Sequence, residues 1–397
     1  MEKPMTTTPP EVTEFRRQFP IFERKVHLAS NSRGAMHVSH PAAFEEYTRL
    51  WVEGGTPWGP YMERTEDLRA GYAEFIGASP HEIAITASAT TGLASVASAL
   101  DAKKRPVVVI DDYNFPSIVY LWLAQQARGI ELRRVSPNDE GIITPEAFDA
   151  VLDERVAMVS VTHVCFKNGH RLDLAAVGKR ARDVGAIFAV DDYHCTGARV
   201  LDVDKLNIDV LTTGTVKFLL GGAGVGLLYV RDQVVENLHP TVTGWFGQDN
   251  PDNIQIDELL EAGDARRFQI TAPALSGVYE SYAGLKVLQE VGATTIEPYI
   301  EGLTARAMDR LDAAGFVSPT PADPNLRGPL VTVRAKDPGA AVAKLAEHDI
   351  VVSHRGGNIR AAFHYYNTFE DIDRLIDALE DARDLMVTAS DVPAPVH

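Results

Sequence analysis

Two observations predict that this 397-residue chain is an α/β protein with a mainly parallel sheet. Short apolar runs of five to nine residues alternate with helical patterns. The runs are almost continuously apolar rather than alternating, as in strands covered by helices on both faces. Strand–helix–strand alternation brings such strands together in parallel. In sheets of this kind ligands sit beyond the carboxyl ends of the strands, so the residues that follow each run are the ones to weigh.

The elements come in order. Residues 82–86 (EIAIT) read as a strand, followed by a Ser/Ala/Thr/Gly turn and a helix with apolar positions Leu93, Val96, Ala97 and Leu100. Residues 106–110 (PVVVI) form a strand that runs into Asp111 and Asp112, and 156–164 form another. A helix over 172–184 has its stripe at Leu174, Val177, Ala181 and Val184 and stops at Gly185. A strand over 186–190 (AIFAV) delivers Asp191, and strands over 209–213 and 226–230 close the series. From 281 to 314 the pattern is helical, broken near Gly292. A strand (330–334), a helix (339–348), strands within 351–366 and a last helix follow. That helix opens on a capping box of Thr368 and Asp371 and places Ile372, Leu375, Ile376 and Leu379 on one face. The expected division is an N-terminal arm (1–25), a large domain (26–280), and a bridging helix with a smaller C-terminal α/β domain (281–397). The tail 390–397 is expected to fray.

Composition narrows the function classes. With 45% hydrophobic and 23% charged residues the chain has the balance of a globular protein that buries a core. The apolar runs are too short to cross a bilayer, and residues 1–10 are Thr/Pro-rich with no apolar signal core. A formal charge of −17 argues against nucleic acid or an anionic membrane as partner. Two cysteines, Cys165 and Cys195, exclude a disulfide framework or a cysteine-based zinc site, and a cytoplasmic enzyme is expected.

Three strand-end features carry chemistry together. Lys217 follows a buried strand, where desolvation lowers an amine's pKa and readies it for Schiff-base chemistry. Asp191 ends an apolar strand 26 residues earlier, where a carboxylate keeps a pyridinium nitrogen protonated. Ser88-Ala89-Thr90-Thr91-Gly92 opens a helix whose free N–H groups, hydroxyls and dipole suit a phosphate. Each is common alone; the order phosphate turn, aspartate, lysine is much more specific.

These motifs, with Val190-Asp191-Asp192-Tyr193-His194, the Gly-Val-Gly-Leu-Leu-Tyr-Val after Lys217, and the run from Ile359 through Arg360 to Thr368, resemble the fold-type I pyridoxal-phosphate enzymes. Within them the chain is similar to the class V aminotransferase group, which includes cysteine desulfurases, isopenicillin N epimerase-like proteins and kynureninases. The likeness runs from about His27 to Glu380. It implies a mainly parallel seven-stranded sheet and pyridoxal 5'-phosphate held by Lys217. It also implies Asp191 on the ring nitrogen, Thr90 and Thr91 on the phosphate, and Ala89 and Thr215 among the cofactor contacts. Phe115 falls where desulfurases stack a histidine on the ring, His194 falls by the phenolic oxygen, and Arg360 matches the clamp for the substrate α-carboxylate. The group is usually dimeric with shared active sites. A homodimer is therefore expected, with residues 244–248 and 266–273 near the boundary.

Departures from the pattern matter as much. Desulfurases carry a persulfide cysteine shortly before the carboxylate arginine, and residues 351–358 (VVSHRGGN) contain none. Phe166 stands roughly where relatives place a cofactor-contacting asparagine. Ala272 replaces a threonine that reaches the partner's phosphate, leaving Thr271 as substitute. Residues 221–226 (GGAGVG) precede a strand and open no helix, so a dinucleotide loop is rejected. His163, Asp191, Asp192 and His194 are not expected to hold a metal.

Trp58, Asn31, Arg33, His37 and His354 are the candidates to shape the substrate pocket, with Trp58 in a Gly/Pro-rich stretch that reads as a mobile wall. Aromatic residues here favour a roomy apolar site. The expected activity is C–S β-elimination from an S-substituted cysteine conjugate. The alternatives are an aminotransferase, an epimerase or a decarboxylating oxidative deaminase; a persulfide-forming desulfurase is disfavoured.

Overall fold

A computed structural model describes residues 7–254 and 256–391; the first residues of the expected arm and the end of the expected frayed tail, 392–397, lie outside these. The chain runs through α1 (Pro10–Arg16), β1 (Val26–His27), α2 (Ser39–Gly54) and α3 (Trp58–Ile76) before the main sheet begins. There follow β2 (Ile83–Thr86), α4 (Ala89–Ser98), β3 (Val107–Asp111), α5 (Pro116–Gln125), β4 (Glu131–Val135) and β5 (Val156–Thr162). Next come α6 (Leu174–Asp183), β6 (Ile187–Asp191), β7 (Val210–Gly214), β8 (Gly226–Val230) and a short α7 (Asp232–Val235). Two helices, α8 (Leu275–Val291) and α9 (Ala293–Ala313), meet at Gly292, whose positive φ of 84° makes the expected break. The chain ends with β9 (Leu330–Arg334), α10 (Pro338–Glu347), β10 (Ile350–Val351), β11 (Ser353–Arg355), β12 (Asn358–Ala362) and α11 (Phe369–Asp381).

The main sheet has seven strands in the order β2-β8-β7-β6-β5-β3-β4. Strands β3 to β7 are parallel, and β8 alone runs against its neighbours β7 and β2. This is the mainly parallel sheet the apolar runs predict. Side chains alternate between two cores: Val107 and Val109 of β3 join one, while Val108 and Ile110 join the other beneath α4 and α5. Strand β4 escaped the pattern because it is an edge strand with three charged residues in five (ELRRV), half exposed along most of its length.

A three-stranded antiparallel sheet, β11-β12-β9, lies in the C-terminal part, and β1 pairs in parallel with β10. The N-terminal segment is tied there too, through the Arg16–Asp371 ion pair at 2.7 Å and the Phe15 ring against Tyr365. The capping box of α11 forms as predicted, with Thr368 and Asp371 bonding each other's backbone N–H. Among the described residues no helix is long and apolar enough to cross a membrane.

Candidate active site

The strand ends of β2, β6 and β7 open on one cavity of about 210 Å³. Its walls include Ala89, Thr90, Phe115, Ser117, Asp191, His194 and Lys217. Helix α4 aims its N-terminus at this space, and the first N–H groups of a helix lack intrahelical partners. That close approach depends on glycine: a Cβ on Gly226, the first residue of β8, would lie 2.3 Å from the Ser88 carbonyl carbon. Ser88 caps α4 through its side chain, which accepts from the Thr91 N–H at 3.1 Å. Thr91 returns the bond by accepting from the Ser88 N–H at 2.9 Å.

This cap corrects one expectation. The Thr91 hydroxyl is committed to Ser88 and lines a different cavity, alongside Thr271 and Ala272. Thr90 does face the Lys217 cavity, where its hydroxyl is 3.1 Å from that of Ser117. Ser117 lies within the residues that follow the 106–110 strand without standing out among them; its place in Phe-Pro-Ser at the start of α5, a second helix N-terminus, is the available signal. Thr215 is likewise displaced from the cavity. Its hydroxyl donates to the Gly222 carbonyl at 2.7 Å and accepts from Ser281 at 3.0 Å, closing the loop that carries Lys217.

Lys217 is half-buried, with its Nζ 3.0 Å from His194 Nε2 and 4.0 Å from the centre of the Tyr193 ring. Burial pushes its amine down to about 8; Asp191 opposes that shift, while Arg360 and Arg355 add to it. Asp191 ends β6, pushed up to about 6 by burial despite the Tyr193 N–H that it accepts at 3.1 Å. Burial also holds His194 well below the ordinary histidine range, helped by the Lys217 and Arg360 charges. The imidazole is therefore neutral, bonded to the Asn31 backbone, and its Nε2 accepts from the lysine.

Arg360, on β12, is buried with one hydrogen bond, from its guanidinium to the Phe166 carbonyl at 3.1 Å. Its Nε has no partner, and burial lowers its pKa to about 10. The Phe166 ring meets Phe115 edge to face at 5.2 Å and lies nearly parallel to His194 at 6.5 Å. Asn31 reaches Ser353 with its amide N–H at 3.3 Å, while its buried Oδ1 has no partner.

Four expected pocket residues fall elsewhere. Trp58 begins helix α3 rather than a mobile loop, and its ring stacks on Trp245 at 6.4 Å in another cavity of about 360 Å³. His354 pairs with Ile359 across β11 and β12, on the sheet face opposite Arg360. Arg33 pairs with Glu280 at 3.0 Å, and His37 is held between Gln18 and Ser39. Of the four residues rejected as a metal site, His163 and Asp192 do meet, at 2.5 Å, beside Cys195. The second Asp192 oxygen accepts from Thr196, so this carboxylate is already bonded on both sides.

The donor set fits pyridoxal phosphate. The α4 N-terminus with Thr90 and Ser117 offers a phosphate seat, the buried Asp191 carboxylate lacks an ion-pair partner among the described residues, and Lys217 lies between them at the same cavity. Comparisons with known proteins agree. The sequence model of the class-V aminotransferases matches residues 59–375. An uncharacterized aminotransferase of Bacillus subtilis, YcbU, is 30% identical over 366 residues, 92% of this chain and 96% of its own. The apo cysteine desulfurase of Thermococcus onnurineus superposes with a TM-score of 0.83 at 23% identity, over 96% of this chain and 99% of that one. C-DES, a cystine C–S lyase seen with cysteine persulfide, also gives 0.83 at 23% identity, over 92% and 99%. A C-DES variant holds glycine covalently linked to its pyridoxal phosphate. With the family model spanning most of the sequence, the chain belongs to the class V aminotransferase family and its cofactor is pyridoxal 5'-phosphate.

Proposed function

We propose that the protein cleaves the C–S bond of an S-substituted cysteine by β-elimination, releasing a thiol, pyruvate and ammonia. The observation that carries this reading is a buried guanidinium with an unpartnered Nε set against an apolar wall. Arg360 bonds the Phe166 carbonyl, and the Phe166 ring meets Phe115, whose centre is 5.9 Å from Lys217 Nζ. A substrate whose α-carboxylate is taken by Arg360 has two aromatic rings beside it, a surface that suits a thioether.

Bound pyridoxal phosphate supplies the electron sink that makes the Cα proton acidic and the β-substituent a leaving group. Asp191 holds the proton at the ring nitrogen. Lys217 takes the Cα proton, with His194 orienting its amine. The Cα–H electron pair becomes the Cα–Cβ double bond, the C–S pair leaves with sulfur, and sulfur takes up a proton. One water converts the remaining enamine to pyruvate and ammonia.

Neither cysteine supports sulfur transfer to the protein. Both are buried, burial pushes the Cys165 thiol up to about 12, and Cys195 is raised well above its ordinary value. The Thermococcus onnurineus desulfurase shares the fold with this chain at 23% identity, and residues 351–358, just before Arg360, contain no cysteine. Intact-protein mass spectrometry after turnover of an S-substituted cysteine tests the reading: unmodified protein with free thiol in solution is expected. A sulfur adduct on Cys165 or Cys195 would overturn it. We also infer a homodimer, supported by the exposed apolar side chains of Trp58, Trp245, Ile254 and Ile256. Sedimentation at a mass near the 43.3 kDa of a single chain would contradict that inference.

A further inference from the structure

Strands β11 and β12 are joined by Gly356 and Gly357, with φ of 56° and 83°. Positive φ at both central residues is the geometry of a two-residue hairpin turn, and it sets the pairing of the strands. Arg355 is opposite Asn358, and Ser353 is opposite Arg360. Paired residues and residues two apart share a face of a sheet, so Ser353, Arg355, Asn358 and Arg360 all lie on one side. That side is the one facing the active site: Arg360 bonds the Phe166 carbonyl, Asn358 approaches the Lys167 carbonyl at 3.4 Å, and Ser353 meets Asn31. Diagonal neighbours on such a pair are about 7–8 Å apart, within reach of long side chains. Arg355 is exposed at the rim of this face, while Arg360 is buried behind it.

The charges on this side do not balance. Arg355 acts electrostatically on both Lys217 and Arg360. Among the described residues Asp191 is the one carboxylate that acts on Lys217, and none acts on Arg360. An α-carboxylate answers Arg360 and leaves the second guanidinium over. The phosphate seat at α4 is built from other elements.

We propose that Arg355 binds a carboxylate at the far end of the substrate's side chain, so that the preferred substrate is an amino acid with an acidic side chain. Under the β-elimination reading, on which the choice of sulfur compound rests, this is a cysteine whose S-substituent ends in a carboxylate. Arg355 is then the residue that sets side-chain specificity, and Arg360 the one that recognises amino acids in general.

The test uses the holoenzyme and two pairs of probes. In calorimetric titration, glutarate is expected to bind about 10–100-fold tighter than butyrate, the range of a hydrogen-bonded charge pair. In turnover, S-(2-carboxyethyl)cysteine is expected to exceed S-propylcysteine in kcat/KM by a similar factor, carried by KM. Arg355→Gln should bring both ratios to within about threefold of unity. His354→Gln, next in sequence but on the opposite face, should preserve them. Equal binding of glutarate and butyrate by the unaltered enzyme overturns the proposal without any variant, as does a preference that survives Arg355→Gln. A glutarate preference that disappears in Arg355→Gln while no thiol is released would uphold Arg355 and sink the β-elimination reading instead.

Discussion

The two ends of the active site are built differently. At the sheet end the polar groups are buried or half-buried and committed to one another: Ser88 and Thr91 cap each other, Asp191 accepts from Tyr193, and Lys217 donates to His194. At the hairpin end, Arg355 is exposed and Arg360 keeps a buried Nε without a partner. A committed, desolvated floor fixes pKa values and positions before any ligand arrives, as chemistry at one atom requires. Unanswered cations at a rim do the reverse, leaving room for a ligand to provide the missing charge. Under the function proposed above, the difference assigns reactivity to the strand ends of the large sheet and choice of substrate to a two-glycine hairpin.

Lys217→Ala gives the widest separation of the two ends. Turnover should fall by about 10³-fold or more, because the Cα proton loses its base, while glutarate binding persists. Retained turnover, measured as kcat, would place the chemistry elsewhere.

The pH dependence of cofactor capture by the apoprotein sharpens the same contrast. The Lys217 amine, lowered to about 8, gains its neutral form as pH rises toward that value, so the capture rate should climb about tenfold per pH unit below 8 and level above it. Asp191, raised to about 6, protonates below that pH and loses its charge toward the ring nitrogen, so cofactor affinity should weaken there. A rate still climbing beyond pH 10 would show that the amine is not desolvated.

Smaller effects are expected from the scaffold. Gly226→Ala pushes β8 away from Ser88 and should cost about 1–3 kcal/mol of stability along with cofactor affinity, read by thermal melting with and without cofactor. Thr91→Ala should cost about 1 kcal/mol through the lost cap, while Ser117→Ala, which removes the hydroxyl beside Thr90 at the Lys217 cavity, should weaken cofactor binding more than stability. If Thr91→Ala instead released the cofactor with no change in melting, the cap would not be its main role.

What was legible in the sequence follows the same divide. Ser88, Asp191 and Lys217 stand out because each lies at or just beyond the end of a buried strand, and sheet geometry gathers such ends whatever the loops do. Thr91 and Thr215 sat in the right motifs, yet a cap and a loop closure turn their hydroxyls away. Those are contacts with specific atoms, which residue types alone do not reveal. His354 and Arg355 differ by one position, and in a strand that is the difference between opposite faces. Only the register set by Gly356 and Gly357 decides between them. Trp58 looked like part of a loop because glycine and proline surround it, but proline is well tolerated in the first turn of a helix and α3 begins there.

The most direct measurement of the central claim is the stoichiometry of products from one S-substituted cysteine incubated with holoenzyme, with the visible absorbance of the bound cofactor followed at the same time. The account predicts an absorbance change on mixing, then thiol and pyruvate in equal amounts. An absorbance change followed by a keto acid that retains its sulfur, or by the substrate's mirror image, would contradict it and move the chemistry from Cβ to Cα.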